Sequence, residues 1–454
     1  MKARNMTEGN PLRLILAVAF PLMLGNVFQQ LYTVVDAQIV GMVEGVSALA
    51  ALGSSDWYLW LFTGLVQGFA QGLTIPMAQA FGAKDIRGLK RNVGNAATLT
   101  LIIGVLTAVL AILSIGPAQD LLNMPQDIRH LSRSYLTVIF AGLPVFMAYN
   151  VLGGILRSLG DGKTPLLAMV VASLMNIGLD LLFVAVLHMG VTGAAVATVI
   201  AQLASCLFCL ARLKHLPMVH PARSDFRLER ATAAKQIRLG IPVAAQNIII
   251  AVGGMFVQSI VNGMGVAFIA GYTASNKLYG VLEIAAISYG YAVSTYAGQN
   301  LGAKKPERIR KGIHAAAVAG MITAAFIGLA MFLFGHHLVA SFLSGTEEQV
   351  AEALRIAVEY LRTMAAMLPI LYLLYIYRSA LQGMGNTLMP MISGFVELAM
   401  RVGSAILLPG LVGYRGFFYA EVLAWIGADF VLMPSFYVML NNLKKQWSSD
   451  VLPE

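Results

Sequence analysis

Residues 21–41 read PLMLGNVFQQLYTVVDAQIVG, an apolar run interrupted by one acid, Asp36, with Pro21 at its head. An ionisable group at membrane depth is costly and marks a functional site. Proline removes a backbone hydrogen bond from a helix and gives it a place to bend. The stretch is therefore expected to form a transmembrane helix that carries both a titratable carboxylate and a hinge, Pro21.

Composition extends this reading to the whole chain. At 58% hydrophobic and 12% charged residues, it has too little polar surface to cover a soluble globule, whose charged fraction is near ~25%. Twelve apolar segments long enough to span a bilayer follow one another with short polar breaks, each needing roughly 20 residues. No small-residue cleavage site follows a short apolar core near the start, so the first segment is read as a retained helix. Cys206 and Cys209 lie in an apolar segment without a zinc-like partner pair and are read as small packing residues. The net charge of +9 reports topology before it reports a nucleic-acid partner. Lys84, Arg87, Lys90, Arg91, Lys304, Lys305, Arg308, Arg310 and Lys311 fall on one side of the alternating segments, as do the basic residues of 212–238. By the positive-inside rule that side is cytoplasmic, and both termini share it.

The chain repeats itself. PMAQAFGAKDIRGLKR (76–91) matches STYAGQNLGAKKPERIRK (294–311), and LPVFMAYNVLGGILRSLGDGKTP (143–165) aligns without a gap to LPILYLLYIYRSALQGMGNTLMP (368–390). Pro144 answers Pro369, Gly160 answers Gly385, Pro165 answers Pro390, and Pro21 answers Pro242. The only long polar connection, 214–235, separates an N-lobe, 1–213, from a C-lobe, 236–454. The expected fold is an all-α integral membrane protein of twelve transmembrane helices in two six-helix lobes, related by a pseudo-two-fold along the membrane normal. Such a fold is the shape expected of a transporter that moves a substrate held at the repeat interface by alternating access, although a channel or a structural bundle can be duplicated in the same way.

Polar residues inside the spans supply the chemistry. Asp36, Asp180 and Thr198 fall at similar depths, roughly 9–12 Å from the outer ends of their spans, and Asn176 shares a helix face with Asp180. Two carboxylates, an amide and a hydroxyl could share a proton; the same oxygens could instead hold Na⁺. A structural hydrogen-bond network is the bland alternative. The C-lobe has Val257 or Gln258 where a partner of Asp36 would fall, and its own intramembrane charges are Lys277, Glu283, Glu397 and Arg401. Glu397 and Arg401, four apart on one helix, are expected to neutralise each other, leaving Glu283 the freer group. Gly64, Gly68 and Gly72 form a seam for close helix approach. Met147 and Met175 are candidates for the lining of an adaptable apolar cavity. Gly162-Lys163-Thr164 lacks the leading glycine and the strand of a phosphate-binding loop, so nucleotide binding is rejected.

With Pro21 and Asp36, the two Gln-x-x-Gly-Ala-Lys motifs, and Asn176, Asp180 and Thr198 at these spacings, the chain resembles the multidrug and toxic compound extrusion family over nearly its whole length. The resemblance implies a bacterial secondary antiporter of the cell (inner) membrane. It exports small, mainly cationic amphipathic compounds in exchange for H⁺ or Na⁺, without a cofactor. Asp36 corresponds to the family's principal ion-coupling acid, with Asn176, Asp180 and Thr198 completing the cation network and Tyr135 and Asn150 nearby. Members with a C-lobe sodium site carry acids in the seventh and tenth helices. Here those helices offer Gln246, Asn247, Gln258 and then tyrosines, which shifts the expected coupling to Asp36 and leaves Gln258 and Glu283 as substrate-facing candidates. A lipid-linked sugar flippase or metabolite exporter of the same superfamily is the alternative. The histidines lie in or near loops or span edges, away from any catalytic cluster, so an enzyme is not expected. The expected partners are organic cations and membrane lipids, with no nucleic acid, and the expected state is a monomer.

Overall fold

The computed structural model describes residues 4–121, 124–341, 343 and 347–449, and among them no strand occurs. Helices α1 (Pro11–Glu44), α2 (Val46–Gly82), α3 (Ile86–Leu113), α4 (Ile115–Leu121), α5 (Gln126–Ala141), α6 (Leu143–Ser158), α7 (Lys163–Asp180) and α8 (Gly190–Leu213) precede the central connection. After it come α9 (Arg230–Asn262), α10 (Val266–Gly302), α11 (Pro306–Ala340), α12 (Glu347–Gly383), α13 (Leu388–Leu407), α14 (Pro409–Val412) and α15 (Arg415–Ser449). Nine helical segments among the described residues are long and apolar enough to cross a membrane, and α5 with α6 makes a tenth that is bent by 44°. The 37-residue helices α2 and α10 are also long enough to cross, and with them the described residues reach twelve spans.

Local chemistry sets the helix starts, and it does so twice. Asp161 accepts hydrogen bonds from the N–H groups of Lys163 and Thr164 at 3.1 and 3.0 Å, opening α7. Its repeat equivalent Asn386 accepts from the Met389 N–H at 3.2 Å, opening α13. Such side chains satisfy donors that the first helical turn leaves free. The residues just before them, Gly160 and Gly385, have φ of +74° and +87°, a conformation that glycine adopts at no steric cost. Lys84 and Lys304, past the ends of α2 and α10, are left-handed at +59° and +52° although neither is glycine. The duplication is thus written in backbone conformation as well as in sequence.

Two compact units divide the chain: Phe20–Ile248 together with Arg4 and Asn5, and residues 249–449 together with Met6–Ala19. Helices α1 and α9 each begin in one unit and end in the other. In the first unit, α2 and the N-terminal part of α9 meet along the glycine seam. A Cβ on Gly68 would lie 2.6 Å from the Ala244 backbone, and one on Gly72 would collide with Gly240. Asn247 Nδ2 donates to the Gly64 carbonyl at 2.7 Å. The central connection docks on α3. Asn95 donates to the Asp225 carbonyl at 3.1 Å and accepts from the Glu229 N–H at 2.9 Å, and Thr98 donates to the Phe226 carbonyl at 2.7 Å.

In the second unit the N-terminal segment is held by the second copy of the repeat motif. Gln299 Oε1 accepts from the Met6 N–H at 2.8 Å, and Asn300 donates to the Met6 carbonyl at 3.2 Å. Lys305 Nζ and Arg308 Nη2 donate to the carbonyls of Thr7 and Gly9, both at 3.0 Å.

The seam predicts an asymmetry between glycines. Gly72→Ala should destabilise the fold by ~1–3 kcal/mol, the usual cost of overpacking, because the atoms in its way are backbone. Gly53, which has nothing within 4 Å of a built Cβ, should accept Ala with no loss. Thermal unfolding of the two purified variants in detergent checks the contrast.

Candidate functional site

Asp36 lies on α1, two turns before its end at Glu44, and is 8% exposed. The helix passes through Pro21 without a break, and Pro21 is buried. Asn176 and Asp180 project from the last turn of α7, at 1% and 0% exposure. Immediately beyond Asp180 the chain widens into a π-helical turn, Leu181–Val186, in which the Leu187 N–H bonds to the Leu182 carbonyl at 2.9 Å. Such turns recur at functional sites because the extra residue re-aims neighbouring side chains. Thr198 comes from α8.

These residues converge. The Asp36 and Asp180 carboxyl groups are within hydrogen-bonding reach of each other. Asn176 Nδ2 donates to Thr198 Oγ1 at 3.4 Å, and Thr198 Oγ1 donates to the Ala194 carbonyl at 3.0 Å. What remains is four buried oxygens without a donor: Asp36 Oδ1, Asn176 Oδ1, and Asp180 Oδ1 and Oδ2. An unmet acceptor is expensive in a low-dielectric interior, and an all-oxygen donor set suits a proton or a hard monovalent cation. Tyr32 and Tyr135 lie within electrostatic range of both carboxyl groups. A pocket of about 330 Å³, counting its open mouth, adjoins the cluster and is lined by Gln29, Tyr32, Tyr149, Asn176, Thr198 and Gln202 among others.

The remaining candidates are dispersed. Met147 is fully buried in the apolar core of the first unit, whereas Met175 is 39% exposed. Asn150 Nδ2 is occupied by the Phe146 carbonyl of its own helix at 2.9 Å. Gln258 bonds Asn262 one turn on at 2.8 Å, and Glu283 accepts from the Tyr375 hydroxyl at 2.6 Å; both residues belong to the second unit. Lys277 is exposed. Glu397 and Arg401 do pair, at 2.9 Å, but within a longer buried chain. Arg378 bonds the other Glu397 oxygen at 2.7 Å, and Glu421 bonds Arg401 at 3.0 Å.

Sequence reasoning missed Arg378, Glu421 and the pocket residue Tyr32. Tyr32 was reachable, since it precedes Asp36 by one helical turn. Glu421 was also reachable, because aligning Gly190-x-x-Gly193 with Gly413-x-x-Gly416 sets it opposite Thr198.

Comparison with known proteins agrees with this architecture. The MatE family model matches residues 21–182 and 242–406, one copy in each half. The chain is 30% identical over 72% of its length to "Probable multidrug resistance protein YoeA" of Bacillus subtilis (strain 168), covering 72% of that protein. It is 26% identical over 95% of its length to "Probable multidrug resistance protein NorM" of Thermotoga maritima, covering 92% of it. A solved structure titled "Outward-facing conformation of a multidrug resistance MATE family transporter of the MOP superfamily" superposes with a TM-score of 0.90 at 24% identity. That superposition covers 98% of this chain and 99% of the other.

The facing carboxyl groups should behave as a unit. Asp36→Asn and Asp180→Asn each already remove the carboxyl–carboxyl contact, so adding the second should change thermal stability by less than it does alone. The expected shortfall is ~0.5–3 kcal/mol, the range for contacting residues, and a double-mutant cycle on the purified protein measures it.

Proposed function

The chain belongs to the MatE family, the multidrug and toxic compound extrusion transporters, and we propose that it exports amphipathic organic cations from a bacterial cytoplasm in exchange for H⁺ or Na⁺. As a member of that family it is a multi-pass membrane transporter, and the relatives named as multidrug resistance proteins support multidrug efflux as its task. The finer reading rests on one observation: four donorless oxygens of Asp36, Asn176 and Asp180, buried together on membrane-crossing helices. In this reading both termini are cytoplasmic, and Asp36, Asn176, Asp180 and Thr198 hold the coupling ion.

The mechanism follows from differential affinity. An ion biases two conformations only if it binds them unequally, and a carboxyl pair more enclosed in one conformation supplies that inequality. Neutralising the pair lets α1 bend at Pro21 and narrows the adjoining pocket, so that a bound cation leaves outward. Ion and cationic substrate compete for the same negative charge, which makes the exchange an antiport. Inward movement of one charge contributes about 2.3 kcal/mol for each 100 mV. Tyr135, Tyr149 and Gln202, near the cluster, provide the aromatic and polar surface that an organic cation requires.

Asp36→Asn should keep the protein folded in the membrane and abolish gradient-driven efflux. Dye extrusion from everted vesicles, energised first by a pH gradient and then by a sodium gradient, measures this and identifies the ion. Wild-type rates from the variant would remove Asp36 from the coupling role.

A further inference from the structure

The two halves can be compared residue by residue where their helices begin in the same way. Helix α7 opens on Asp161 and α13 on Asn386, so the ungapped repeat carries Ala172 onto Glu397 and Asn176 onto Arg401. Gly190 and Gly413, both left-handed at +62° and +66°, set α8 against α15 and carry Thr198 onto Glu421 and Gln202 onto Trp425. Pro21 and Pro242 carry Tyr32 onto Gly253. The mapping is tested by contact, since Asn176 bonds Thr198 in one unit and Arg401 bonds Glu421 in the other.

The pocket beside the N-terminal cluster is lined by Tyr32, Ala172, Asn176, Thr198 and Gln202. Its counterpart positions hold Gly253, Glu397, Arg401, Glu421 and Trp425. Here the small Ala172, Asn176 and Thr198 are exchanged for long charged side chains, and Tyr32 becomes the glycine against which the guanidinium packs. A Cβ on Gly253 would stand 3.3 Å from Arg401 Nη1. Arg401 is 7% exposed, Glu397 5% and Trp425 1%. One guanidinium nitrogen, Nη2, is shared by two carboxylates, Glu397 at 2.9 Å and Glu421 at 3.0 Å. Where the N-terminal unit leaves oxygens without a donor, the C-terminal unit places a permanently charged donor on its own chain.

We infer that the C-terminal unit retains a counterpart of the N-terminal pocket as a latent cation site, filled by the Arg401 guanidinium and open to a free planar cation of the guanidinium class once that side chain is removed. Arg401 thereby fixes which half exchanges a ligand, because a tethered cation cannot leave. A guanidinium presents its donors in a plane and keeps its charge, so the vacated site should prefer free guanidinium to a spherical ion. The comparison rests on reading the N-terminal pocket as the exchanging site, but the test reads binding in the C-terminal unit alone and stands or falls apart from transport.

Purified wild-type protein and Arg401→Ala are titrated with millimolar radiolabelled guanidinium by equilibrium dialysis, and with guanidinium or sodium in thermal unfolding. Arg401→Ala should gain a saturable guanidinium site that the wild type lacks, and its midpoint should rise with guanidinium but not with sodium. Adding Glu421→Gln should remove both effects. A folded Arg401→Ala without saturable binding, or binding that survives Glu421→Gln, overturns the inference. Recovery of Arg401→Ala from membranes only when guanidinium is supplied also supports it. Recovery neither with nor without guanidinium means that a free cation does not replace the side chain, and the inference fails.

Discussion

Hydrocarbon offers no partner to a polar group, so each one placed at membrane depth must be answered by the chain itself or by something the chain binds. The buried charged clusters of the two halves meet this demand differently. In the C-terminal unit, Arg378, Glu397, Arg401 and Glu421 answer one another through charge-assisted bonds at 2.7–3.0 Å, while Nε of both arginines and Asp429 Oδ1 stay without a partner. The N-terminal unit brings Asp36, Asn176 and Asp180 together and leaves their oxygens without donors. A buried ion pair contributes little net stability, because desolvation offsets much of its attraction. The difference between the halves therefore concerns what each can bind more than how firmly each holds together.

That contrast also explains how the duplicated halves diverge without losing their common frame. Helix starts, left-handed positions and the motif ends of α2 and α10 depend on backbone geometry, and they recur at matching positions. Side chains that face the interior of a unit are free to change once the frame is secure, provided that volume and charge change together. The exchange of Tyr32 for Gly253 as Asn176 becomes Arg401 keeps that balance.

Much of the frame was legible in the sequence because it depends on local or periodic signals. The gapless match of 143–165 to 368–390, the glycine seam of α2 and the i, i+4 relation of Asn176 to Asp180 all reappear as geometry. Other features depend on tertiary context. Pro144 was read only as one member of a symmetric pair, whereas the fourth span is in fact bent by 44° where α5 meets α6 at Gly142. Its equivalent Pro369 lies inside the continuous α12. The π-helical turn after Asp180 has no composition that distinguishes it from an ordinary helix. Residues 214–229 look like a free spacer, but Asn95 and Thr98, more than a hundred positions earlier, fasten them to α3. Arg378 sits near the end of an apolar span, where a charge usually serves as an anchor, and only its distance to Glu397 assigns it to the buried chain.

The placing of the N-terminal segment has a consequence for the order of assembly. Met6 is bonded to Gln299, 293 positions later, and the segment from Met6 to Ala19 belongs to the unit built mostly from the end of the chain. Residues made early on this stretch of chain therefore wait for partners made nearly three hundred positions later. Until α10 and α11 have been synthesised, the carbonyls of Met6, Thr7 and Gly9 have no Asn300, Lys305 or Arg308 to meet. The start of α1 therefore cannot take its final partners while only the first unit has been made. Closure of the second unit then registers that translation has passed through both copies of the repeat.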